Sequence, residues 1–477
     1  MSQFHYSKVI ATIWPSLAKE TVLSKIINFV DVFRINLNHG FIDHHKKYID
    51  TILKLDNSKT IMLETKGAEI RSKNVNPMAL KKNESIVIDF SEYQHEEKWI
   101  LFIDYTDLFD VPAKTEITFD DTDVILYVEK NDGLTLQCKV LVWGTVLPLK
   151  KAYFKGYRPN LPFLTEKDKK DILWGLQVGV NILVVSYTKN ENNILELREF
   201  LYEHNGKDVK IIAKIETKES LDNLEAIITA SDGISLVKGW LEEISAKKSF
   251  TEEKLIALCN KFGKPFILAA DFTKKLKTGK NAVPHQATYD SIEQYLGAGV
   301  DAFMLGQETA FGEEPIEDIT GLYNSIIKYQ ATLQTNFGMH EVYINTEKEI
   351  TDYLIYNAYR TSKEIDIKAI ICFTHNGYSV SRLSTLKPNI PIIAFTKIDD
   401  TYKYLNLLWA VKGYKISNSF DYAHVKKIGK EIIRIIFKGN ISLDDKILIM
   451  HAHDTAENDS IDEGIMNGVE IYKFKDI

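Results

Sequence analysis

Eight short apolar runs, separated by amphipathic stretches, constrain this chain more than any other feature. They fall at residues 8–13, 32–37, 60–65, 182–186, 210–215, 233–238, 265–270 and 302–305. Their Val, Ile and Leu residues are continuous rather than alternating, the pattern of strands covered on both faces. Helical patterns lie between most of them, for example at 191–202 and 251–262. Eight strand–helix units predict an α/β fold, a (β/α)8 TIM barrel, whose reactive groups gather at the strand C-termini.

One stretch breaks the rhythm. Residues 72–161 show alternating patterns at 85–90, 99–103, 124–129 and 134–140, with the turn signal Asn131-Asp132-Gly133. They predict an inserted all-β domain, able to act as a lid. After about Tyr329 a third pattern begins. Apolar runs at 367–373, 391–395 and 446–450 accompany a helical pattern at 350–362, which predicts a small C-terminal α/β domain. The expected domains are a barrel from 1–71 and 162–330, a lid from 72–161, and a C-terminal domain from 331–477.

Composition narrows the class. A chain of 477 residues predicts several domains. Its net charge of −7 argues against nucleic-acid binding, which needs a basic face to neutralise phosphates. Cys138, Cys259 and Cys372 are far apart in apolar surroundings, with neither a zinc spacing nor a disulfide framework. They predict buried thiols of a reducing compartment. No apolar run approaches a bilayer span of roughly 20 residues, and no secretory signal is visible at Met1. The expectation is a cytoplasmic protein with no membrane contact.

The strand ends carry the chemistry. Strand two closes as Phe33-Arg34-Ile35-Asn36-Leu37-Asn38-His39-Gly40, and strand three as Leu63-Glu64-Thr65-Lys66-Gly67-Ala68-Glu69-Ile70-Arg71. Residues 161–168 read L-P-F-L-T-E-K-D, 210–216 K-I-I-A-K-I-E, 304–310 M-L-G-Q-E-T-A and 404–409 Y-L-N-L-L-W. Taken in order, these resemble the pyruvate kinase motifs F-R-L-N-F-S-H-G, L-D-T-K-G-P-E-I-R, L-P-A-L-T-E-K-D, K-I-I-A-K-I-E, M-L-S-G-E-T-A and Q-L-N-L-Y-W. The resemblance runs from Lys8 to Trp409 and is specific as a set, though each motif alone is weak.

The resemblance implies phosphate transfer from phosphoenolpyruvate to ADP, in glycolysis, with a divalent ion (usually magnesium) and commonly potassium. It also implies a dimer or tetramer. Phosphoryl transfer rests on positioning and charge neutralisation. By resemblance, Arg34 and Lys214 supply the cations, and Lys214 also stabilises the enolate. Lys214 and Glu216 lie two apart on a strand and point to one side. Glu216 retains the first metal-binding carboxylate. The second falls at Trp240: residues 231–242 read S-D-G-I-S-L-V-K-G-W-L-E where the family has S-D-G-I-M-V-A-R-G-D-L-G. An indole offers only a donor N–H and cannot ligate, which leaves Glu242 as the neighbouring oxygen donor.

Further departures surround it. The threonine of the family's C-A-T-Q-M-L is Ala270, P-T-R-A-E reads Pro284-His285-Gln286-Ala287-Thr288, and the S-G before Glu308 is Gly306-Gln307. The potassium positions implied by resemblance are Asn36, Asn38, Glu64 and Thr65. All offer oxygen, and Glu64 is one methylene longer than the family's aspartate. Glu69 matches the residue associated with potassium-dependent members. For nucleotide, the resemblance carries over His39, Arg71 and, in the lid, Lys150, while N-L-P-G has become Tyr153-Phe154-Lys155-Gly156. In the C-terminal domain Thr374-His375-Asn376-Gly377-Tyr378-Ser379 matches an activator phosphate loop. The second effector loop, however, carries Asp454, Glu457, Asp459, Asp462 and Glu463. Those carboxylates repel a bisphosphate, so no sugar-bisphosphate activation is expected.

Three functions fit these residues. The first is a catalytically degenerate subunit, a pseudoenzyme, assembling as a homo- or hetero-tetramer with an active pyruvate kinase paralogue. The second is an active but divergent enzyme with a rebuilt metal site. The third is a binding protein reusing the fold, since fold does not fix function.

Overall fold

The computed structural model describes residues 3–74, 76–90, 99–104, 108, 110–119, 123–148, 150–157, 161–239, 241, 250–270, 286–333, 344–345, 348–417, 422–451 and 468–477. Trp240, Glu242 and the acidic loop beyond His451 lie outside them. The chain divides into two compact units, Met1–Thr65 with Lys170–Ile477, and Lys66–Lys169.

The first unit opens with β1 (Lys8–Thr12), β2 (Val32–Asn36) and β3 (Thr60–Glu64). All but one of these fifteen residues are buried, as continuous apolar runs require when both faces are covered.

The second unit follows. It contains β4 (Met78–Leu80), β5 (Ser85–Asp89), β6 (Ile100–Phe102), β7 (Glu116–Phe119), β8 (Ile125–Asn131), β9 (Thr135–Val142), β10 (Gly144–Val146) and β11 (Ala152–Phe154). Six form a sheet in the order β11-β7-β8-β9-β5-β6, and β10 pairs with β4. Alternation sets its faces: Leu126, Val128, Leu136, Cys138 and Val140 point into the core beside Ile86 and Ile88. The β8–β9 turn is the expected one. Gly133 has a φ of +88° that glycine adopts without strain, and Asp132 Oδ1 accepts the Thr135 N–H at 2.7 Å. Asp168 Oδ1 accepts the Gly67 N–H at 3.1 Å, tying the two ends of this unit together.

The chain then returns to the first unit with β12 (Ile182–Val185), β13 (Lys210–Ile215), β14 (Gly233–Val237), β15 (Phe266–Ala269) and β16 (Ala302–Leu305). With the first three strands they close an all-parallel barrel in the order β1-β16-β15-β14-β13-β12-β3-β2. The eight expected strands are present. Helices fall where the 3.6-residue pattern placed them, such as Glu191–Glu203, whose N-cap Asn190 accepts the Asn193 N–H. Inward side chains Ile10, Val32, Met62, Ile182, Val184, Ile212, Ile267, Ala302 and Met304 fill the barrel.

The C-terminal α/β domain carries β17 (Ile367–Phe373), β18 (Ile392–Thr396), β19 (Val411–Lys415), β20 (Lys446–His451) and β21 (Gly468–Lys473). Its sheet runs β19-β18-β17-β20-β21, with β21 antiparallel at the edge. This domain is packed onto the barrel. Leu407 joins the barrel's inner cluster. Tyr404 donates its hydroxyl to Asp232 O at 3.0 Å, and Thr60 donates to Lys403 O at 2.7 Å. Lys387 Nζ lies 2.7 Å from Asp301 Oδ1, both fully buried. All three cysteines are buried free thiols, and burial pushes Cys138 and Cys372 up to about 12.

Candidate active site

The strand alternation that points Ile10, Val32, Met62 and Ile212 into the barrel also points Thr12, Arg34, Glu64 and Lys214 inward, one step nearer the C-terminal mouth. There they meet. Arg34 Nε donates to Glu64 Oε2 at 2.7 Å, and Arg34 Nη1 donates to Thr12 Oγ1 at 2.8 Å. Thr12 in turn donates to Leu305 O at 2.8 Å. Lys214 Nζ donates to Glu64 Oε1 at 3.3 Å and pairs with Glu216 Oε2 at 3.1 Å. The remaining Glu216 oxygen accepts the Tyr187 N–H at 2.6 Å.

Electrostatics follow from burial and contact. Burial by itself would raise the Glu64 carboxyl, but Arg34 and Lys214 outweigh it and bring it down to about 2. Burial would lower Lys214, but Glu216 and Glu64 outweigh it and hold the ammonium above the usual lysine range.

Asn36 Oδ1 accepts the Asn38 N–H at 3.0 Å, and Asn38 Oδ1 is buried with no hydrogen-bond partner among the described residues. Thr65 accepts twice from Ser186, through Oγ1 from its N–H and through its carbonyl from its hydroxyl. His39 lies in an aromatic cluster, with its ring 6.3 Å from Trp14 and 6.1 Å from Phe311. Arg71 and Lys150 belong to the second compact unit. There Arg71 is ion-paired to Glu69 and pairs with Lys151 in an isolated bridge, while the Lys150 carbonyl accepts the Ser72 N–H and the Lys150 N–H donates to Ser72 Oγ. Ala270 closes β15's exit, its N–H donating to Met304 O at 3.3 Å, and its methyl offers no hydroxyl. Arg34, Glu64, Lys214 and Glu216 therefore form one contiguous group.

Thr12 and Tyr187 complete it, and Ser186 holds the neighbouring Thr65, none of the three having been foreseen. Tyr187 works through its backbone N–H, which donates to Glu216, at a φ of +57° that is unusual for an aromatic residue.

Among the described residues, Glu216 is the one position that the resemblance gives to the divalent ion. Magnesium needs several hard oxygens in near-octahedral geometry. Glu216 is the carboxylate in place, and both its oxygens are engaged. Among the described residues, no group of three His, Cys, Asp or Glu comes together to hold a metal. Of the potassium positions, Asn38 Oδ1 has no hydrogen-bond partner among the described residues, while both Glu64 oxygens are taken by cations.

A closed parallel barrel with cations and carboxylates at its strand C-termini defines a fold of the TIM-barrel class. Residues 4–319 match the pyruvate kinase barrel domain and residues 352–462 the pyruvate kinase alpha/beta domain. The chain is 28% identical over 469 residues to pyruvate kinase from Staphylococcus aureus (strain MRSA252), covering 94% of this chain and 78% of that protein. It is 30% identical over 417 residues to pyruvate kinase from Bacillus licheniformis, covering 85% and 71%. Its fold matches the crystal structure of Cryptosporidium parvum pyruvate kinase with a TM-score of 0.86 at 22% identity, over 99% and 98% of the two chains. The chain belongs to the pyruvate kinase family.

Proposed function

We propose that this chain is a catalytically degenerate pyruvate kinase subunit that assembles with an active paralogue in the cytoplasm. The observation that carries the reading is Glu216. It is the one metal-binding carboxylate the motifs retain, and its two oxygens are spent on Lys214 and the Tyr187 N–H. Its expected partner carboxylate is Trp240, and the threonine position is Ala270. No helix among the described residues is long and apolar enough to cross a membrane.

In this reading Arg34 and Lys214 are the inherited phosphate-binding cations for phosphoenolpyruvate. His39, Arg71 and Lys150 are the inherited nucleotide positions for ADP or ATP, and residues 72–161 are the inherited lid. A second reading, an active divergent enzyme, is favoured by one observation: Arg34, Lys214 and Glu216 still converge at the barrel mouth.

A coupled assay converting phosphoenolpyruvate and ADP to pyruvate, with magnesium and potassium present, separates the two. The purified chain alone is expected to show no turnover, and co-expression with a pyruvate kinase carrying the intact G-D-L-G motif is expected to give a mixed oligomer. Turnover by this chain near the ~1–100 s⁻¹ usual for kinases overturns the first reading in favour of the second. Manganese binding, followed by electron paramagnetic resonance, is expected to appear in Trp240→Asp and not in the wild type.

A further inference from the structure

The four charged residues at the barrel mouth carry two positive and two negative formal charges. They form one chain of contacts, Arg34 to Glu64 at 2.7 Å, Glu64 to Lys214 at 3.3 Å, and Lys214 to Glu216 at 3.1 Å. Glu64 is the member that touches both cations. Its carboxylate lies between a guanidinium and an ammonium, the pairing by which proteins hold phosphate and carboxylate ligands. The Glu64 side chain is only 2% exposed, so water and salt screen these contacts little. The two cations that an incoming anion would need thus already face a buried carboxylate.

We infer that Glu64 is a specificity-determining residue of this centre: it is a built-in counter-anion that occupies Arg34 and Lys214 and so excludes free anions of the phosphate class. The inference deepens the reading above and rests on it, because it presumes that the centre descends from one that bound a phosphorylated substrate. Side-chain length is the decisive variable. Removing one methylene withdraws the carboxylate by about 1.5 Å, a bond length, and contacts of 2.7 and 3.3 Å to two separate cations cannot both survive that.

The test is isothermal titration of the full chain with phosphoenolpyruvate, and separately with inorganic phosphate, both without divalent metal. Wild type, Glu64→Gln and Glu64→Asp are compared. Glu64→Gln is expected to bind phosphoenolpyruvate at least tenfold more tightly than wild type, and adding Lys214→Met is expected to abolish the gain. Glu64→Asp keeps the charge but retracts it. It is expected to show a smaller gain and serves if the Gln variant does not fold. A gain in binding distinguishes this role from a purely structural one, since removing a mere support weakens a site. If wild type binds phosphoenolpyruvate as tightly as both variants, the inference is overturned while descent from a phosphate-binding centre stands. If no form binds either probe although all are folded, both fall.

Discussion

At the scale of single residues, Glu64 links stability to pH. Its carboxyl sits near 2 in the folded chain against an ordinary value of 4.5. A depressed folded value means that folding favours the ionised form. The stabilisation is complete above about pH 4.5 and disappears as pH falls through that interval towards about 2. Melting temperatures between pH 6 and pH 3 are therefore expected to fall less steeply in Glu64→Gln than in wild type, and parallel slopes would contradict the assignment. The charged members of the centre were legible in the sequence because their residue types sit in ordered motifs. Thr12 and Ser186 were not, because a short hydroxyl at a strand end leaves no pattern. Tyr187 was invisible for a stronger reason: it contributes a backbone N–H, and any residue but proline carries one.

Elements were legible in proportion to their burial. The eight barrel strands announced themselves because covering both faces demands unbroken apolar runs. The strand β19 did not, since its sequence V-K-G-Y-K holds a glycine and two lysines suited to an exposed edge. The three-residue strands β4, β10 and β11 are too short for any periodicity to register. The turn after β2 tests this level. Gly40 has a φ of +78°, and a Cβ there would meet the Trp14 ring at 2.0 Å. Gly40→Ala is expected to cost roughly 1–3 kcal/mol from overpacking, with a further penalty from the backbone conformation. Chemical denaturation would register it, and a change within about 0.5 kcal/mol would mean that the indole moves aside freely.

For the whole molecule, the buried pair Lys387–Asp301 joins the C-terminal domain to the barrel. Asp301 also accepts backbone N–H groups from Trp409 and Phe266. Replacing Lys387 by Met strands a buried carboxylate and is expected to destabilise the chain by about 3–5 kcal/mol, seen as a lower melting temperature by calorimetry. An unchanged transition would show that the N–H groups alone satisfy Asp301. Burial drives Lys387 below the ordinary lysine value, with Asp301 opposing the shift.

The position of Leu407 has a consequence for anyone cutting this chain. Because that leucine joins the barrel's inner cluster, the cylinder is stoppered by a residue encoded about a hundred positions after its last strand. A truncated gene ending near residue 330 would produce an uncorked vessel, with an apolar floor open to water and prone to stick to its neighbours. The barrel is thus not a detachable cartridge, and any graft of this scaffold has to bring its stopper with it.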